Sequence, residues 1–396
     1  MKFDAIIIGG GPAGSSAAIT LARHGWAVAV IEKSKFPRRK VCGEFISSTN
    51  SALLDRLGVG EVWRAAAGPE IRHVAFYAGE TCVEAPMPRA ANAGFGRALG
   101  RDLLDLLLLE AARAAGAEIF QPWRAVAIDK EEGAVHRVRI ESKEGASVLH
   151  APVVIAAHGS WKPGNLPTQL ARTNLASDFL GFKAHFRGSS LAADLMPLLV
   201  FPGGYGGMVG ADHGRLSLSC CIRRDALAAM RKVSGKLPAS EAVQRHLIMS
   251  CRGIREAIGD AVLDGRWLAA GPIRPGIRTC YEDDIFRIGN TAGESHPIIA
   301  EGISMALQSG WLLASELTRA GASDLRARQI AGQRYSLAWK KLFSTRIHAA
   351  AAFAQLAVRR ESAPLMRTMV GAFPVILTLG AKLSGKATSV PGMGSA

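Results

Sequence analysis

Within its first 32 residues the chain carries Gly9-Gly10-Gly11-Pro12-Ala13-Gly14, a glycine turn set between two short apolar runs. Residues 4–8 (DAIII) form the first run, Pro12 to His24 has a helical pattern, Gly25 stops it, and residues 27–31 (AVAVI) form the second run. Strand, glycine turn, helix and strand within about 30 residues make a βαβ unit, because parallel strands need a crossover of that size. The GxGxxG spacing falls on Gly9, Gly11 and Gly14. Gly9 permits a tight turn, Gly11 lets a pyrophosphate approach the backbone, and Gly14 allows close packing of helix on strand. Pro12 and Ala13 open the helix, whose N-terminal N–H groups face the phosphates. Glu32 ends the second run, where a carboxylate accepts hydrogen bonds from an adenosine ribose. The pattern predicts dinucleotide binding; the plainer reading is an ordinary βα turn with a surface Glu. A basic loop follows (Lys33, Lys35, Arg38, Arg39, Lys40). Most of it reads as solvated surface, with Lys33 and Lys40 the candidates to meet cofactor phosphates or a reduced nicotinamide nucleotide.

The other elements are spread along the 396 residues. Residues 101–115 read as a Leu-rich amphipathic helix, Gly116 stops it, and a short strand with Ile119 and Phe120 follows. Residues 153–157 and 285–288 read as buried strands, 180–223 as alternating strand broken by a glycine cluster at 203–207, and 237–258 as a helix. A long helix runs from Gly302 to about Arg319, and the chain is helical from about 324, with a loose tail over its last ten residues. This interrupted order predicts an α/β fold, α+β overall. A Rossmann-like dinucleotide-binding domain is expected from residues 1–72, 98–172 and 275–334. An inserted antiparallel-sheet substrate domain is expected from 73–97 and 173–274, and a helical C-terminal segment from 335–396.

Six cysteines (Cys42, Cys82, Cys220, Cys221, Cys251, Cys280) make no CxxC pair. That argues against a zinc site and a secreted disulfide framework, and for a reducing, cytoplasmic compartment. The buried-strand pattern beginning at Phe3 leaves no room for a signal peptide. The longest late apolar run, 368–381, contains Pro374 and falls short of the roughly 20 residues of a membrane span.

Three segments together resemble the FAD-dependent oxidoreductases that include single-component aromatic hydroxylases, geranylgeranyl reductases and flavin-dependent halogenases. They are GGGPAG, Arg101 leading into DLLD, and RIGNTAGESHPIIAEGISMAL at 287–307. The resemblance covers roughly residues 1–330 and implies FAD. It also implies NAD(P)H as a transient electron donor, since the chain has no second GxGxxG–helix unit. The late segment matches the family's second FAD fingerprint, GDAAH or GDAAG followed by PxxGxG. Gly289 and Asn290 stand at its Gly-Asp, Pro297 at its Pro, Ala300 replaces the first later Gly, and Gly302 matches the second. Asn290 can accept a ribityl hydrogen bond but brings no charge. Gly302 and Ile303 open a helix whose N–H groups would face the flavin N1/C2 carbonyl. Arg101 matches the Arg that reaches the FAD phosphates or the flavin edge. One departure is His158-Gly159-Ser160, where the hydroxylases carry Asp-Gly; the plain reading of His158 is a satisfied turn residue.

Cys42-Gly43-Glu44-Phe45 is similar to the Cys-Gly-Glu/Asp segment of the geranylgeranyl-reductase-like branch, a loop beside the isoalloxazine. It makes Cys42 and Glu44 candidate catalytic residues, against a Cys42 that is merely a small buried side chain. Residues 201–207 (FPGGYGG) resemble the strand that roofs the substrate pocket in this family, with Tyr205 placed to stack on or hydrogen-bond a substrate; otherwise Tyr205 is exposed on a bulged hairpin. His296, in the FAD-like loop, is the fourth catalytic candidate. HExxH, P-loop and GxSxG motifs are absent, as is the halogenase WxWxIP motif.

The resemblance implies, first, an NAD(P)H-dependent monooxygenase hydroxylating an aromatic, phenolic or polyketide/lipid-like substrate. The alternative is a geranylgeranyl-reductase-like enzyme saturating isoprenoid or lipid double bonds, and the third reading is a non-catalytic flavin-fold binding protein. A net charge of +15 invites a nucleic-acid reading. No helix-turn-helix, zinc-finger or aromatic RNA-binding signature supports it, and no nucleic-acid partner is expected. From Tyr335 to Ala396 eight Lys/Arg face one acid, Glu361. A basic, apolar helical end predicts a peripheral membrane or acyl-carrier contact.

Overall fold

Ala5–Ile8 has only apolar side chains, and all four residues are buried. Such a strand must be covered on both faces, the condition of a parallel sheet between two layers. It pairs in register with Val28–Ile31 on one side and Val153–Ala156 on the other, parallel in both cases. Glu118–Phe120 and Ile285–Arg287 extend the sheet in parallel, and Tyr281–Glu282 closes it antiparallel. One face is packed by helices Pro12–Arg23, Arg101–Ala114 and Gly302–Ala320. The other is covered by a three-stranded meander, Arg124–Lys130, His136–Ser142 and Gly145–Ala151. Chain segments far apart in sequence thus build one Rossmann-like unit. The computed structural model describes residues 1–386 apart from 90–93, 162, 172–173, 234, 236, 322–323 and 360–361. The expected loose tail lies outside the described residues.

A second, larger sheet is inserted between these segments. Its order is Val262–Leu263, Phe179–Arg187, Leu216–Arg223, Gly204–Gly210, Leu195–Phe201, His73–Ala78 and Thr81–Pro86, with Leu268–Ile273 also paired to Phe179–Arg187. Neighbours are antiparallel except at one seam, where Leu195–Phe201 runs parallel to His73–Ala78. The 73–86 hairpin enters from a separate part of the chain, so its connection is long enough to cross over and pair in parallel.

Two elements differ from their sequence patterns for local reasons. The glycine cluster does not break the sheet. Pro202 and Gly203 (φ +82°) form the turn, and Gly204–Gly210 is itself a strand. A Cβ on Gly206 would lie 2.6 Å from the Ser219 carbonyl oxygen, so a neighbouring strand crowds the glycine face. Residues 237–258 form two helices, Ala239–Ser250 and Arg252–Ile258. Cys251 between them is extended and bridges to Gly79, so sheet contact overrides helical continuity.

One helix, Leu325–Val358, straps both layers together. Ala331, Tyr335, Trp339, Phe343 and Ile347, one turn apart, enter the core of the first unit. Ala350, Ala354 and Ala357 enter the cluster beneath the second sheet. The helix passes without interruption through residue 335, where the C-terminal segment was expected to begin.

Candidate active site

The separated motifs converge on one cavity of about 780 Å³ that runs from the glycine turn to the underside of the second sheet. At its polar end the three motif glycines have different surroundings. Gly9 has φ +117°, and a Cβ there would stand 2.6 Å from the Ala157 carbonyl oxygen. A Cβ on Gly14 would stand 1.9 Å from the Gly9 carbonyl oxygen. Gly11 is open, with Arg101 Nη2 its nearest neighbour at 3.8 Å, and it lines the cavity with Pro12 and Ala13. Glu32 is buried and accepts the Gly10 N–H (3.0 Å) and the Ser34 N–H (2.8 Å). It therefore ties the turn to the end of the second strand while lining the same space.

Cations gather opposite the open glycine. Arg101 makes a bidentate pair with Asp105 one helical turn on, at 2.7 and 2.9 Å. Arg38 lies 3.6 Å from Asp105 and 3.8 Å from Glu32, and its buried Nε has no hydrogen-bond partner. Lys40 has its pKa pulled down to about 8, first by burial and then by Arg101 and Arg38. Lys33 sits on the exposed rim. An orphaned donor, a lysine with a lowered pKa and a helix N-terminus beside a side-chain-free turn form a cradle that fits the pyrophosphate of a dinucleotide. Asp105 was not singled out in the sequence, although RDLLD carries the i, i+4 spacing of an ion pair, and Arg38 was named only as part of the basic loop.

Pro297, Gly302 and Ile303 also line the cavity, and Gly302 opens the 19-residue helix Gly302–Ala320. No atom lies within 4 Å of a Cβ position on Gly302, so the helix end is open. Ala300, at the motif's Gly position, adopts the left-handed conformation (φ +53°, ψ 36°). Gly289 turns at φ +58° against Ala13. Asn290 donates its side-chain N–H to Glu294 Oε1 at 3.0 Å. The same carboxylate accepts Trp161 Nε1–H (2.9 Å) and the Ser160 hydroxyl (2.6 Å), and Arg278 stands 3.9 Å away. The acid missing at position 290 is therefore present four residues later, buried and lining the cavity. It was legible in GNTAGE but not singled out. His158 has both ring nitrogens engaged, by the Gly159 carbonyl and the Thr168 hydroxyl at 2.8 Å each, and burial pushes its pKa down to about 4. It is a satisfied turn residue.

Midway, the 42–45 loop meets the second sheet. Glu44 is buried at φ +66°. Its Oε1 accepts the Arg101 backbone N–H (2.9 Å) and pairs with the Lys183 ammonium, and its Oε2 meets His185 Nε2 at 2.8 Å. Burial pushes the carboxyl pKa up, but Lys183 and His185 outweigh it and hold it at about 2. Such a carboxylate has no proton to give and no free oxygen to receive one. Glu44, a catalytic candidate from the sequence, is thus held in place by Arg101, Lys183 and His185 at the junction of the 42–45 loop with the second sheet. Cys42 is half-buried, lines the cavity and accepts the Glu44 N–H at 3.4 Å.

At the far end Tyr205 is not exposed. It is buried in the roof, lines the cavity, and its hydroxyl lies 2.9 Å from His296 Nδ1. The Phe179 ring packs against both, at 5.5 and 5.6 Å. Burial raises the Tyr205 pKa well above its usual value and lowers that of His296 to about 4, so both are neutral near pH 7. The surrounding walls are apolar: Met196, Leu198, Met208, Val209, Ile273 and Ile298. Among the described residues no group of three or more His, Cys, Asp or Glu is placed to hold a metal ion.

Comparison with known proteins agrees with this geometry. A family described as an FAD binding domain matches residues 2–211. Conditioned medium factor receptor 1 of Dictyostelium discoideum is 25% identical over 364 residues, covering 86% of this chain and 68% of that protein. Digeranylgeranylglycerophospholipid reductase 2 of Methanopyrus kandleri is 26% identical over 364 residues, covering 87% of this chain and 83% of the relative. Among solved structures, the myxobacterial chondrochloren halogenase superposes with a TM-score of 0.74 at 20% identity, covering 97% of each chain. The last is a likeness of fold.

Proposed function

The chain belongs to the FAD binding domain family and is an FAD-dependent oxidoreductase, and from that premise we propose that it reduces carbon–carbon double bonds of a long, apolar, isoprenoid-type substrate with electrons from NAD(P)H. This places reduction ahead of hydroxylation, the first expectation from the sequence. The observation that carries the reading is the cavity itself. It joins a dinucleotide cradle to an apolar chamber walled by Met196, Leu198, Met208, Val209, Ile273 and Ile298, with Tyr205 as a polar contact in the roof. The resemblance of most of the chain to digeranylgeranylglycerophospholipid reductase 2 of Methanopyrus kandleri supports the same choice.

When bound, FAD supplies two-electron hydride chemistry. Gly11, Pro12, Ala13, Lys40 and Arg38 would hold its pyrophosphate, Glu32 its ribose, Asn290 with Glu294 its ribityl chain, and the Gly302–Ile303 N–H groups its flavin ring. The remaining work falls to the roof and the 42–45 loop. Tyr205 keeps its hydroxyl proton at neutral pH and holds it against neutral His296. It is the group placed to deliver the proton that the second carbon of a reduced double bond requires. Glu44, fixed by Lys183 and His185, holds Cys42 at the cavity wall. The apolar walls exclude water from the reacting bond.

Hydroxylation is the second reading, because the Tyr205 hydroxyl, hydrogen-bonded to His296 behind it, is also a suitable contact for a phenol hydroxyl. Anaerobic incubation of the dithionite-reduced holoprotein with a geranylgeranyl lipid tests the proposal. Gain of two hydrogens per double bond is expected. Gain of one oxygen by a phenol under air, with no alkene reduction, favours the second reading.

A further inference from the structure

Two helices near the end of the described chain, Ser362–Ala372 and Val375–Ala381, are apolar on both sides. They turn at Pro374, with an angle of 102° between Leu365–Ala372 and Val375–Lys386. Met366, Val370, Leu377 and Ala381 face inward and are buried in the cluster that holds Val200, Tyr205, Cys221 and Ile298. Tyr205, Cys221 and Ile298 also line the cavity, so the helix pair packs directly behind its apolar wall.

The outward face carries two stripes at i, i+4 spacing: Leu365 and Met369 on the first helix with Phe373 just past its end, then Val375 and Leu379 on the second with Leu383 in the segment that follows it. Phe373 is 63% exposed and Leu383 74%. Large apolar side chains repeated in this way on an already packed element mark an interaction surface. Lys382 is exposed beside the second stripe and Arg367 partly exposed beside the first, and residues 362–386 contain no acid.

We infer that this helix pair is a surface anchor that seats on an anionic lipid bilayer, with the two apolar stripes in the acyl boundary and Arg367 and Lys382 at the headgroups. Among the described residues no single helix is long and apolar enough to cross a membrane. The pair is also fastened against straightening. The Thr378 hydroxyl donates to the Pro86 carbonyl at 2.7 Å, and buried Lys386 donates to the Ile299 carbonyl (2.5 Å) and to Glu301 Oε1 (3.1 Å). It therefore lies on the surface and does not span. The last two bonds reach the residues just before Gly302, so the anchor is tied to the loop at the cavity. An acidic carrier protein would answer the charge but leave six large apolar side chains unused. The inference does not depend on which substrate is reduced.

Sedimentation of the full holoprotein with vesicles tests it, using phosphatidylcholine alone and phosphatidylcholine mixed with phosphatidylglycerol. The protein is expected to bind the anionic vesicles and to bind neutral ones much more weakly. The double variant F373E/L379E, both exposed positions, should lose about tenfold or more of that binding while keeping its flavin content and unfolding midpoint. Binding of the double variant equal to the wild type overturns the inference, as does failure of the wild type to bind anionic vesicles. Capture of an acyl carrier protein without vesicle binding assigns the face to a protein partner and overturns it too.

Discussion

Tyr205 and His296 come from different layers, one from the middle of the inserted sheet and the other from the loop before the Gly302 helix, yet Tyr205 Oη and His296 Nδ1 lie 2.9 Å apart. The bond joins the roof of the apolar chamber to the loop that leads to the cofactor cradle.

Tyr205→Phe removes the hydroxyl and keeps the ring. If Tyr205 supplies the proton, turnover should fall on the order of 100-fold while flavin content is unchanged. Tyr205 is raised well above its ordinary pKa, and His296 is held down to about 4. Neither titrates between about pH 5 and 9, so the wild-type chemical step should be flat across that range. Single-turnover rates measured against pH check both points.

Lys40 predicts a pH dependence of cofactor binding. Its pKa in the free protein is depressed from 10.5 to about 8, so it is charged below that value and neutral above it. A bound pyrophosphate favours the charged form and raises the pKa. FAD affinity should therefore weaken as pH rises through 8, and K40M should lose both the step and about tenfold in affinity at pH 7. Flavin fluorescence titrations of the apoprotein measure this.

Glu44 predicts acid sensitivity. Its folded pKa, about 2, lies below its ordinary 4.5, so its ionisation stabilises the fold fully above about pH 4.5 and progressively less as pH falls toward 2. The shift corresponds to about 3 kcal/mol. Glu44→Gln leaves Lys183 and His185 without their acid and should cost about 3–5 kcal/mol at pH 7. Urea midpoints of the two proteins should converge as the pH approaches 2.

Asn290 and Glu294 predict a charge exchange. Asn290→Asp would place a second carboxylate within about 3 Å of a buried one, which disfavours ionisation of both, and should release FAD. N290D/E294Q restores a single acid and should regain most of the flavin lost by N290D. A double-mutant cycle on FAD retention gives the coupling directly.

Legibility in the sequence followed the range of the interactions. The βαβ unit was plain because strand, turn, helix and acid lie within 32 residues and each carries a local signal. The seam between His73–Ala78 and Leu195–Phe201 was not, since nothing local tells a strand which distant neighbour it will meet. The partners of Glu44, Lys183 and His185, were not legible because they lie some 140 residues away. Those two sit on the same face of FLGFKAHFR, two polar residues at alternate positions in a buried strand, and such a pair demands an acid from elsewhere. Asn290 looked like a lost charge until Glu294 folded back beside it.

The central claim is that this cavity reduces apolar double bonds. The most direct measurement is the mass of a geranylgeranyl lipid after anaerobic incubation with the dithionite-reduced holoprotein, run beside Y205F. The account predicts addition of two hydrogens per double bond by the wild type and little by Y205F. An unchanged lipid mass with fully loaded, fully reduced enzyme would contradict it.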